Sequence, residues 1–183
     1  VREMESKVSN LFSKKHGIMV NSGSSANYLS VEILGLEKGS EVITPALTFS
    51  TTVAPLIKKG LVPAFVDVEM GSYQADVSQI ERMISKKTSA LMIPSLIGNL
   101  PDLMKLRSLA RKHGLWFIED SADTLGATFN NKPTGYYSHV STTSFYASHI
   151  ITAAGSGGML CVNNKTIANR GRILANWGRD STL

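Results

Sequence analysis

One stretch of this chain sets its fold: Ser89-Ala-Leu-Met-Ile-Pro-Ser-Leu-Ile-Gly-Asn-Leu-Pro-Asp-Leu-Met-Lys-Leu-Arg-Ser-Leu-Ala-Arg-Lys-His-Gly-Leu-Trp-Phe-Ile-Glu-Asp120. The apolar run at residues 89–94 predicts a strand, and residues 102–113 predict a helix that stops at Gly114. A second apolar run, residues 115–118, ends in two acids. Strands that are joined through helices pair in parallel, so this stretch predicts a parallel sheet covered on both faces.

The same alternation continues outward in both directions. Apolar runs predict further strands at residues 17–20, 41–44, 62–66, 140–146 and 158–162, and helical spacing predicts helices at residues 24–36, 50–59, 77–85 and 165–176. Pro55 is expected to begin or kink the helix in which it lies. No repeat or low-complexity linker interrupts the pattern. We therefore predict one domain over residues 1–183, a three-layer α/β/α sandwich with a mainly parallel sheet.

The composition argues against several classes of function. The net charge is +5, but the basic residues are dispersed and form no stripe with aromatic residues, so nucleic-acid binding is not expected. No apolar run has the length of a membrane span, and the first residues show no signal peptide, which predicts a cytoplasmic protein without a membrane partner. Because the chain starts at Val1 rather than at a methionine, we expect it to be the interior of a longer protein.

The single cysteine, Cys161, argues against an internal disulfide and against a metal site built from cysteines. It lies in an apolar, strand-like run, so we expect a small core residue rather than a nucleophile. No metal site is predicted.

Polar side chains follow several predicted strands at the point where each strand ends. They are Asn21-Ser-Gly-Ser24, Thr44, Asp67 and Asp120. The carboxyl ends of parallel strands meet at one edge of the sheet, where α/β proteins bind their ligands. This distribution predicts a binding site, although it does not identify the ligand.

The run Ser22-Gly-Ser-Ser25 opens a predicted helix directly after a strand. Free backbone N–H groups and the positive end of the helix dipole suit a phosphate there, and the hydroxyls of Ser24 and Ser25 add donors. An ordinary serine N-cap is the alternative explanation. The run is not a Walker A motif, because it lacks the lysine, and it does not fit G-x-G-x-x-G.

Four further residues are candidates for a site at this edge. Asp120 ends an apolar strand, where its carboxylate is either desolvated, paired with a cation or used as a capping acid. Asp123 lies three residues further along and can face the same pocket. Phe49 can stack on a ligand ring or pack in the core. His149 can serve as a general base and acid, with a structural histidine as the alternative.

Several ordered motifs give the chain a resemblance to a known family. They are Met19-Val-Asn-Ser-Gly-Ser-Ser-Ala, Thr44-Pro-Ala-Leu-Thr-Phe-Ser-Thr-Thr, Phe65-Val-Asp-Val, Ile118-Glu-Asp-Ser-Ala-Asp-Thr-Leu-Gly-Ala, Ser144-Phe-Tyr-Ala-Ser-His and Trp177-Gly-Arg-Asp180. Together they resemble the DegT/DnrJ/EryC1/StrS sugar aminotransferases, which have the fold of type I pyridoxal-phosphate (PLP) enzymes. The resemblance covers nearly the whole chain.

The resemblance also implies roles for single residues. Gly23, Ser24 and Ser144 would hold the cofactor phosphate, Phe49 would cover the cofactor ring, and Asp120 would pair with its pyridine nitrogen. Sites of this family are completed at a subunit boundary, so a homodimer is expected. The family's chains are longer than this one and carry a small carboxyl-terminal domain, which we expect to be absent here because the chain is truncated.

His149 occupies the position at which the aminotransferases of this family carry the lysine that binds the cofactor covalently. Imidazole has no primary amine, so the cofactor would not be tethered. With Asp123 and the Trp177-Gly-Arg-Asp run, this histidine resembles the branch of 3-dehydratases that act on nucleotide-linked 4-keto-6-deoxyhexoses. The implied reaction uses pyridoxamine phosphate (PMP): its amine condenses with the 4-ketone, His149 removes a proton from the cofactor carbon C4′, and the 3-hydroxyl leaves.

The iron–sulfur members of that branch continue with cysteines after Trp-Gly-Arg-Asp, whereas this chain reads Ser181-Thr-Leu183. We therefore expect neither an iron–sulfur cluster nor a partner reductase. Two alternatives remain open: an aminotransferase of the same family, and a non-catalytic protein that binds the cofactor or a nucleotide sugar. A borohydride-reducible bond between PLP and a lysine favours the first alternative, and binding without turnover favours the second.

Overall fold

The computed structural model describes residues 1–180 and contains one seven-stranded sheet and one small hairpin. The strands are β1 His16–Val20, β2 Glu41–Pro45, β3 Val62–Val66, β4 Thr88–Pro94, β5 Trp116–Asp120, β6 Thr128–Phe129, β7 Lys132–Pro133, β8 Val140–Ser144 and β9 Gly158–Val162. β6 and β7 form the hairpin. Across the large sheet the order is β1-β9-β8-β5-β4-β2-β3.

β9 is the strand that departs from the parallel arrangement. The pairs β3–β2, β2–β4, β4–β5 and β5–β8 are parallel, whereas β9 lies antiparallel between β8 and β1. In this register Gly158 of β9 faces both Val20 of β1 and Ser144 of β8. The mainly parallel sheet expected from the sequence is confirmed. Its parallel carboxyl ends lie at one edge, as a ligand site requires.

Helices cover both faces of the sheet, which confirms the predicted three layers. They are α1 Arg2–Leu11, α2 Gly23–Leu34, α3 Ser50–Lys58, α4 Val77–Met83, α5 Leu103–His113 and α6 Lys165–Ala175. α2, α3 and α6 pack on one face with the strand residues Met92 and Ile118. α4 and α5 pack on the other face with Leu91 and Phe117, next to α1, which packs against β9 through Val8.

The structure contradicts one half of the expectation for Pro55, that it begins the helix, and the kink stays a prediction. This residue lies inside α3, which begins at Ser50, rather than at the start of a helix. A proline has no N–H to donate to the preceding turn and is normally costly in a helix interior. Here its own ring is buried beside Thr52 and Leu56, which are fully buried, and this packing offsets the lost hydrogen bond.

A buried polar cluster lies under the β5–β8–β9 part of the sheet, on the face covered by α1. The ammonium group of Lys14, which is 3% exposed, donates to the carbonyl oxygen of Ser138 at 2.6 Å. Its neighbour Glu119 is fully buried and accepts hydrogen bonds from the hydroxyls of Ser121, Ser138 and Ser141. Burial lowers the pKa of Lys14 to about 8, although the charge of Glu119 opposes this shift.

Cys161 lies in the same region and is fully buried, which confirms the prediction of a core residue. Burial raises the pKa of its thiol well above the ordinary value. A neutral, enclosed thiol is a poor nucleophile.

Candidate active site

A cavity of about 570 Å³ opens at the carboxyl edge of the sheet, where β1, β4, β5 and β8 end. Seven of the eight residues predicted for a site line it: Gly23, Ser24, Phe49, Asp120, Asp123, Ser144 and His149. The eighth, Ser25, is not among the lining residues. Thr44 and Asp67, which also follow strands, are outside the lining as well. The cavity therefore lies at the edge of the sheet that the strand-end pattern predicted, although not every polar residue there lines it.

The serine turn at the start of α2 is held very close to β8 and β9. A Cβ atom built on Gly23 would lie 2.6 Å from Cβ of Ser144, and one built on Gly158 would overlap the carbonyl oxygen of Ser22. Only glycine fits at these two positions, because normal side-chain contacts are longer. The close approach brings the first turn of α2 and the hydroxyl of Ser144 to the same end of the cavity.

The structure shows the N-cap that was the alternative explanation for the serine turn, and the phosphate site stays a prediction. The hydroxyl oxygen of Ser22 accepts a hydrogen bond from the backbone N–H of Ser25 at 3.1 Å, so Ser22 is an N-cap. The N–H groups of Gly23 and Ser24 have no partner within residues 1–180. Unpaired N–H groups at a helix N-terminus form an anion site. The contact of Ser25 with the Ser22 hydroxyl explains why Ser25 faces away from the cavity wall.

Asp120 is buried and is held by two residues that sequence reasoning missed. Its Oδ2 atom accepts hydrogen bonds from Asn27 at 2.7 Å and from Thr52 at 3.0 Å. Asn27 is in turn fixed by the hydroxyl of Thr142 at 2.6 Å. Desolvation raises the pKa of the Asp120 carboxyl, and the hydrogen bonds from Asn27 and Thr52 oppose that rise. The predicted desolvation of this carboxylate is therefore confirmed.

The signal that could have identified Asn27 is its place in α2. It is a polar residue one turn beyond Gly23, on the helix face that also buries Ser30 and Val31. A buried amide needs hydrogen-bond partners, and the nearest strand-end acid is an obvious one. Thr52 offers no comparable signal, because threonines are common in the first turn of a helix.

Asp123 and His149 form a pair at the cavity wall. Oδ1 of Asp123 lies 3.1 Å from Nδ1 of His149, and Oδ2 accepts the backbone N–H of Ile97 at 3.0 Å. The ring of Tyr146 stands edge-on to the imidazole, with centroids 6.1 Å apart. Since Nδ1 is taken by the carboxylate, Nε2 is the nitrogen left for a ligand. His149 is partly exposed, so it is not a core histidine, whereas the alternative of a structural histidine in a turn stays open.

Phe49 lies at the mouth of the cavity and is 68% exposed, so the core-packing alternative for this residue is wrong. It precedes α3 and stands in an extended conformation. Tyr146 also lines the mouth and is more than half exposed. A flat apolar side chain at the opening can cover a ring that binds inside.

Among residues 1–180, no cluster of three or more histidine, cysteine, aspartate or glutamate side chains could hold a metal ion. No helix of that part of the chain is long and apolar enough to cross a membrane. The expectation about an iron–sulfur cluster rests on residues 181–183, which lie outside the described residues.

The arrangement defines a class of protein: the fold is that of the large domain of type I PLP enzymes. The sequence profile of the DegT/DnrJ/EryC1/StrS aminotransferase family matches residues 1–182, and the chain belongs to this family. The resemblance inferred from the motifs is thereby confirmed.

Individual relatives carry both dehydratase and aminotransferase names. The chain is 37% identical to a dTDP-4-dehydro-2,6-dideoxy-D-glucose 3-dehydratase of Saccharopolyspora spinosa, over 98% of this chain and 40% of the relative. It is 34% identical to a UDP-N-acetyl-3-dehydro-alpha-D-glucosamine 3-aminotransferase of Acidithiobacillus ferrooxidans, over 97% of this chain and 48% of the relative.

A solved structure of a dehydratase has the same fold as this chain. The GDP-4-keto-6-deoxy-D-mannose-3-dehydratase of E. coli with bound hydrated PLP superimposes with a TM-score of 0.88 at 31% identity, over 94% of this chain and 45% of that one. The chain thus spans less than half the length of each of these three relatives.

Proposed function

We propose that this chain forms the PMP- or PLP-binding large domain of an enzyme that acts on a nucleotide-linked 4-keto-6-deoxyhexose and removes its 3-hydroxyl, with His149 as general base. The observation that carries the proposal is the Asp123–His149 pair in the wall of the cavity. It presents an oriented imidazole where the family's aminotransferases are expected to have a lysine. The dehydratase names among the relatives support the same assignment.

The residues present fit a pyridoxamine-type phosphate. The close contact between Gly23 and Ser144 makes a cradle with unpaired N–H groups, which suits a phosphate dianion. Asp120, whose buried carboxyl has a raised pKa, suits a protonated ring nitrogen, because a cation in contact stabilises the charged carboxylate. Phe49 would cover the ring. Ser25 stays a prediction as a further phosphate contact, made through its backbone or after a rotamer change.

The bound cofactor would supply an amine for the sugar ketone and an electron sink for the carbon that loses a proton. Asp120 would keep that sink effective by holding a positive charge on the ring nitrogen. Nε2 of His149 would take the proton and return it to the leaving oxygen. Asp123 would stabilise the imidazolium formed in between and would keep Nδ1 away from the reacting atoms.

The substrate and assembly are part of the same proposal. The nucleotide sugar would enter past Phe49 and Tyr146, whose exposed apolar faces surround the mouth. A second copy of the chain would cover that mouth, as the family resemblance implies, and give a homodimer. Light scattering of the concentrated protein tests this: a monomer at all concentrations contradicts the homodimer, but leaves the assignment of the site in place.

An aminotransferase is the second candidate, because some relatives carry that name. It predicts a covalent bond between PLP and a lysine of the resting enzyme, and an amino sugar as product. The dehydratase predicts neither.

The deciding experiment mixes the protein with stoichiometric PMP and a nucleotide-linked 4-keto-6-deoxyhexose. Nuclear magnetic resonance of the sugar follows the carbon-3 position. Loss of the 3-hydroxyl supports the proposal. An amino group at carbon 4 with the 3-hydroxyl intact supports the aminotransferase. Binding of PMP and sugar with no product supports a non-catalytic protein and contradicts both.

A further inference from the structure

The peptide group between Leu96 and Ile97, in the turn after β4, is held at both ends by side chains. Its N–H donates to Oδ2 of Asp123 at 3.0 Å, and its carbonyl oxygen accepts a hydrogen bond from Nε2 of Gln74 at 3.1 Å. The peptide is trans, so its N–H and C=O point in opposite directions. Gln74 and Asp123 therefore hold one peptide group from its two sides.

The conformation of Ile97 indicates that these two contacts shape the turn. Its φ of 50° and ψ of 32° lie in the left-handed region, which is unfavourable for a β-branched residue. The side chain of Ile97 is 67% exposed, so its own packing does not offset the strain. Backbone strain persists where the surrounding contacts fix the chain. The hydrogen bonds from Gln74 and to Asp123 are such contacts.

Gln74 is itself fixed, although it lies in the connection between β3 and α4 and does not line the cavity. It is 2% exposed, and its backbone carbonyl oxygen accepts the N–H of Glu69 at 2.9 Å. Its backbone N–H donates to the hydroxyl of Ser72 at 3.2 Å, and Nε2 also donates to the carbonyl oxygen of Ser72 at 3.3 Å. The amide of Gln74 therefore offers the carbonyl oxygen of Leu96 a donor in a defined place.

The contacts that start at Gln74 end at an imidazole. Oδ2 of Asp123 accepts the N–H of Ile97, and Oδ1 lies 3.1 Å from Nδ1 of His149. A fixed Oδ2 fixes the plane of the carboxylate, and with it the direction from which Oδ1 meets the ring. Hydrogen bonds in series also polarise one another, so the bond at the Leu96 carbonyl strengthens the Ile97 N–H as a donor.

We propose that Gln74 is a positioning residue of the active site. Through the Leu96–Ile97 peptide and Asp123 it holds the proton of the neutral His149 ring on Nδ1, which leaves Nε2 free as the base. The part of this inference that concerns turnover rests on the proposed function, whereas the part that concerns the tautomer of His149 does not.

The test replaces Gln74 by methionine, which has a similar length and no hydrogen-bond donor. Because Oε1 of Gln74 has no partner within residues 1–180, this change also removes an unpaired acceptor, and the variant should fold. The matched control is Gln79→Met. Gln79 holds the same connection between β3 and α4, through the N–H of Asp67 and the carboxylate of Asp76. In the described chain no hydrogen bond joins its side chain to residues 95–98.

Nitrogen-15 nuclear magnetic resonance of the His149 ring, in the protein without cofactor, gives the tautomer of the neutral imidazole. We expect the proton on Nδ1 in the unchanged protein and in Gln79→Met, and shared between Nδ1 and Nε2 in Gln74→Met. In the dehydration assay, kcat of Gln74→Met should fall by roughly 2- to 12-fold, the effect of one neutral hydrogen bond, with unchanged PMP affinity. A residue that only stabilises the fold would lower the unfolding temperature and leave the tautomer unchanged.

An unchanged tautomer in Gln74→Met overturns the assignment, and so does an equal change in Gln79→Met. A changed tautomer with an unchanged kcat overturns the role in turnover. Should Gln74→Met not fold, Gln74→Asn takes its place, because its amide is one methylene too short to reach the Leu96 carbonyl oxygen. If the unchanged protein does not dehydrate the sugar, the proposed function fails, but the tautomer measurements still support or overturn the path from Gln74 to His149.

Discussion

At the scale of single residues, His149 carries the proposed chemistry because Asp123 leaves Nε2 as its free nitrogen. His149→Asn should bind PMP nearly as tightly as the unchanged protein, since the phosphate and ring contacts lie at Gly23, Ser144 and Asp120. Its turnover should fall by roughly 10²- to 10⁴-fold, the usual contribution of general acid–base help. Stopped-flow absorbance with a nucleotide-linked 4-keto-6-deoxyhexose measures the rate.

His149→Lys is the companion variant. A lysine restores a primary amine at this place, so PLP should form a covalent adduct that survives borohydride reduction and is visible by mass spectrometry. Native turnover in the asparagine variant would remove His149 from the mechanism. Failure of the lysine variant to form the adduct would show that the side chain does not reach the cofactor.

Asp120 gives a prediction of the direction in which stability changes with pH. Its carboxyl pKa is raised in the folded protein, mainly by desolvation, so the unfolded chain ionises first as the pH rises from 4. Ionisation therefore lowers stability above the unfolded pKa. Asp120→Asn should unfold at a higher temperature than the unchanged empty protein, and the difference should grow from pH 4 to pH 7. It should also bind PMP more weakly. A difference that is constant with pH would mean that the carboxyl is solvated.

At the scale of elements, the first turn of α2 depends on its contact with β8. In Gly23→Ala the new Cβ would meet Ser144 at 2.6 Å, so the helix start must move away from the strand. We expect a loss of about 1–3 kcal/mol in the free energy of unfolding from overpacking, and at least a tenfold loss of PMP affinity. Isothermal titration calorimetry measures the affinity.

Gly171→Ala is the matched control for that variant. It places a Cβ 2.6 Å from the end of the Ile18 side chain, inside α6 and away from the cavity. It should change stability but leave PMP affinity as it is. Equal losses of PMP affinity in both variants would show that a loss of stability of the whole domain weakens binding, rather than the changed contact between Gly23 and Ser144.

The elements also show what sequence patterns can and cannot predict. The runs that became β4, α5 and β5 were readable because local periodicity and the stop at Gly114 specify them. The helix α1 was missed because only Val8 and Ser9 of it are buried, which leaves a weak apolar pattern. The hairpin β6–β7 was not predicted, since each of its strands has only two residues.

The contacts between distant residues of the site could not be predicted from the sequence, because local spacing does not report which segments meet. Asp120 was predicted because it ends a strand, and Asp123 and His149 because they stand in motifs of the family resemblance. The hydrogen bond from Asn27 to Asp120 joins two elements that are far apart in the chain, and no local spacing reports it. The hydrogen bond from Gln74 to the carbonyl oxygen of Leu96 likewise joins segments that no local pattern brings together.

At the scale of the whole molecule, the buried Lys14 should make stability depend on pH. Its pKa is about 8 in the folded protein, against an ordinary value of 10.5, because burial disfavours the ammonium form. Between these values the unfolded chain holds the proton and the folded protein does not, so stability rises with pH. Relative to Lys14→Met, the unchanged protein should gain roughly 1–3 kcal/mol between pH 7 and pH 10.

Urea unfolding of both proteins across that range measures the difference. Cys161, whose raised thiol pKa acts in the opposite direction, is present in both proteins, so that only its interaction with Lys14 differs between them. A stability difference that does not change with pH would contradict this prediction. It would mean that the ammonium group of Lys14 keeps its proton in the folded protein, because the groups around Glu119 rearrange to stabilise the charge.

The reversed strand β9 has a consequence for the order of events on the ribosome. β1 is synthesised long before β9, its partner in the sheet. His16 therefore cannot pair until Val162 has been synthesised. The parallel strands β2 to β5 can assemble in the meantime, because their partners lie close in the sequence. The serine turn after β1 is held only once Gly158 and Ser144 are in place. A nascent chain therefore makes the serine turn well before it makes the two strands that hold this turn in place.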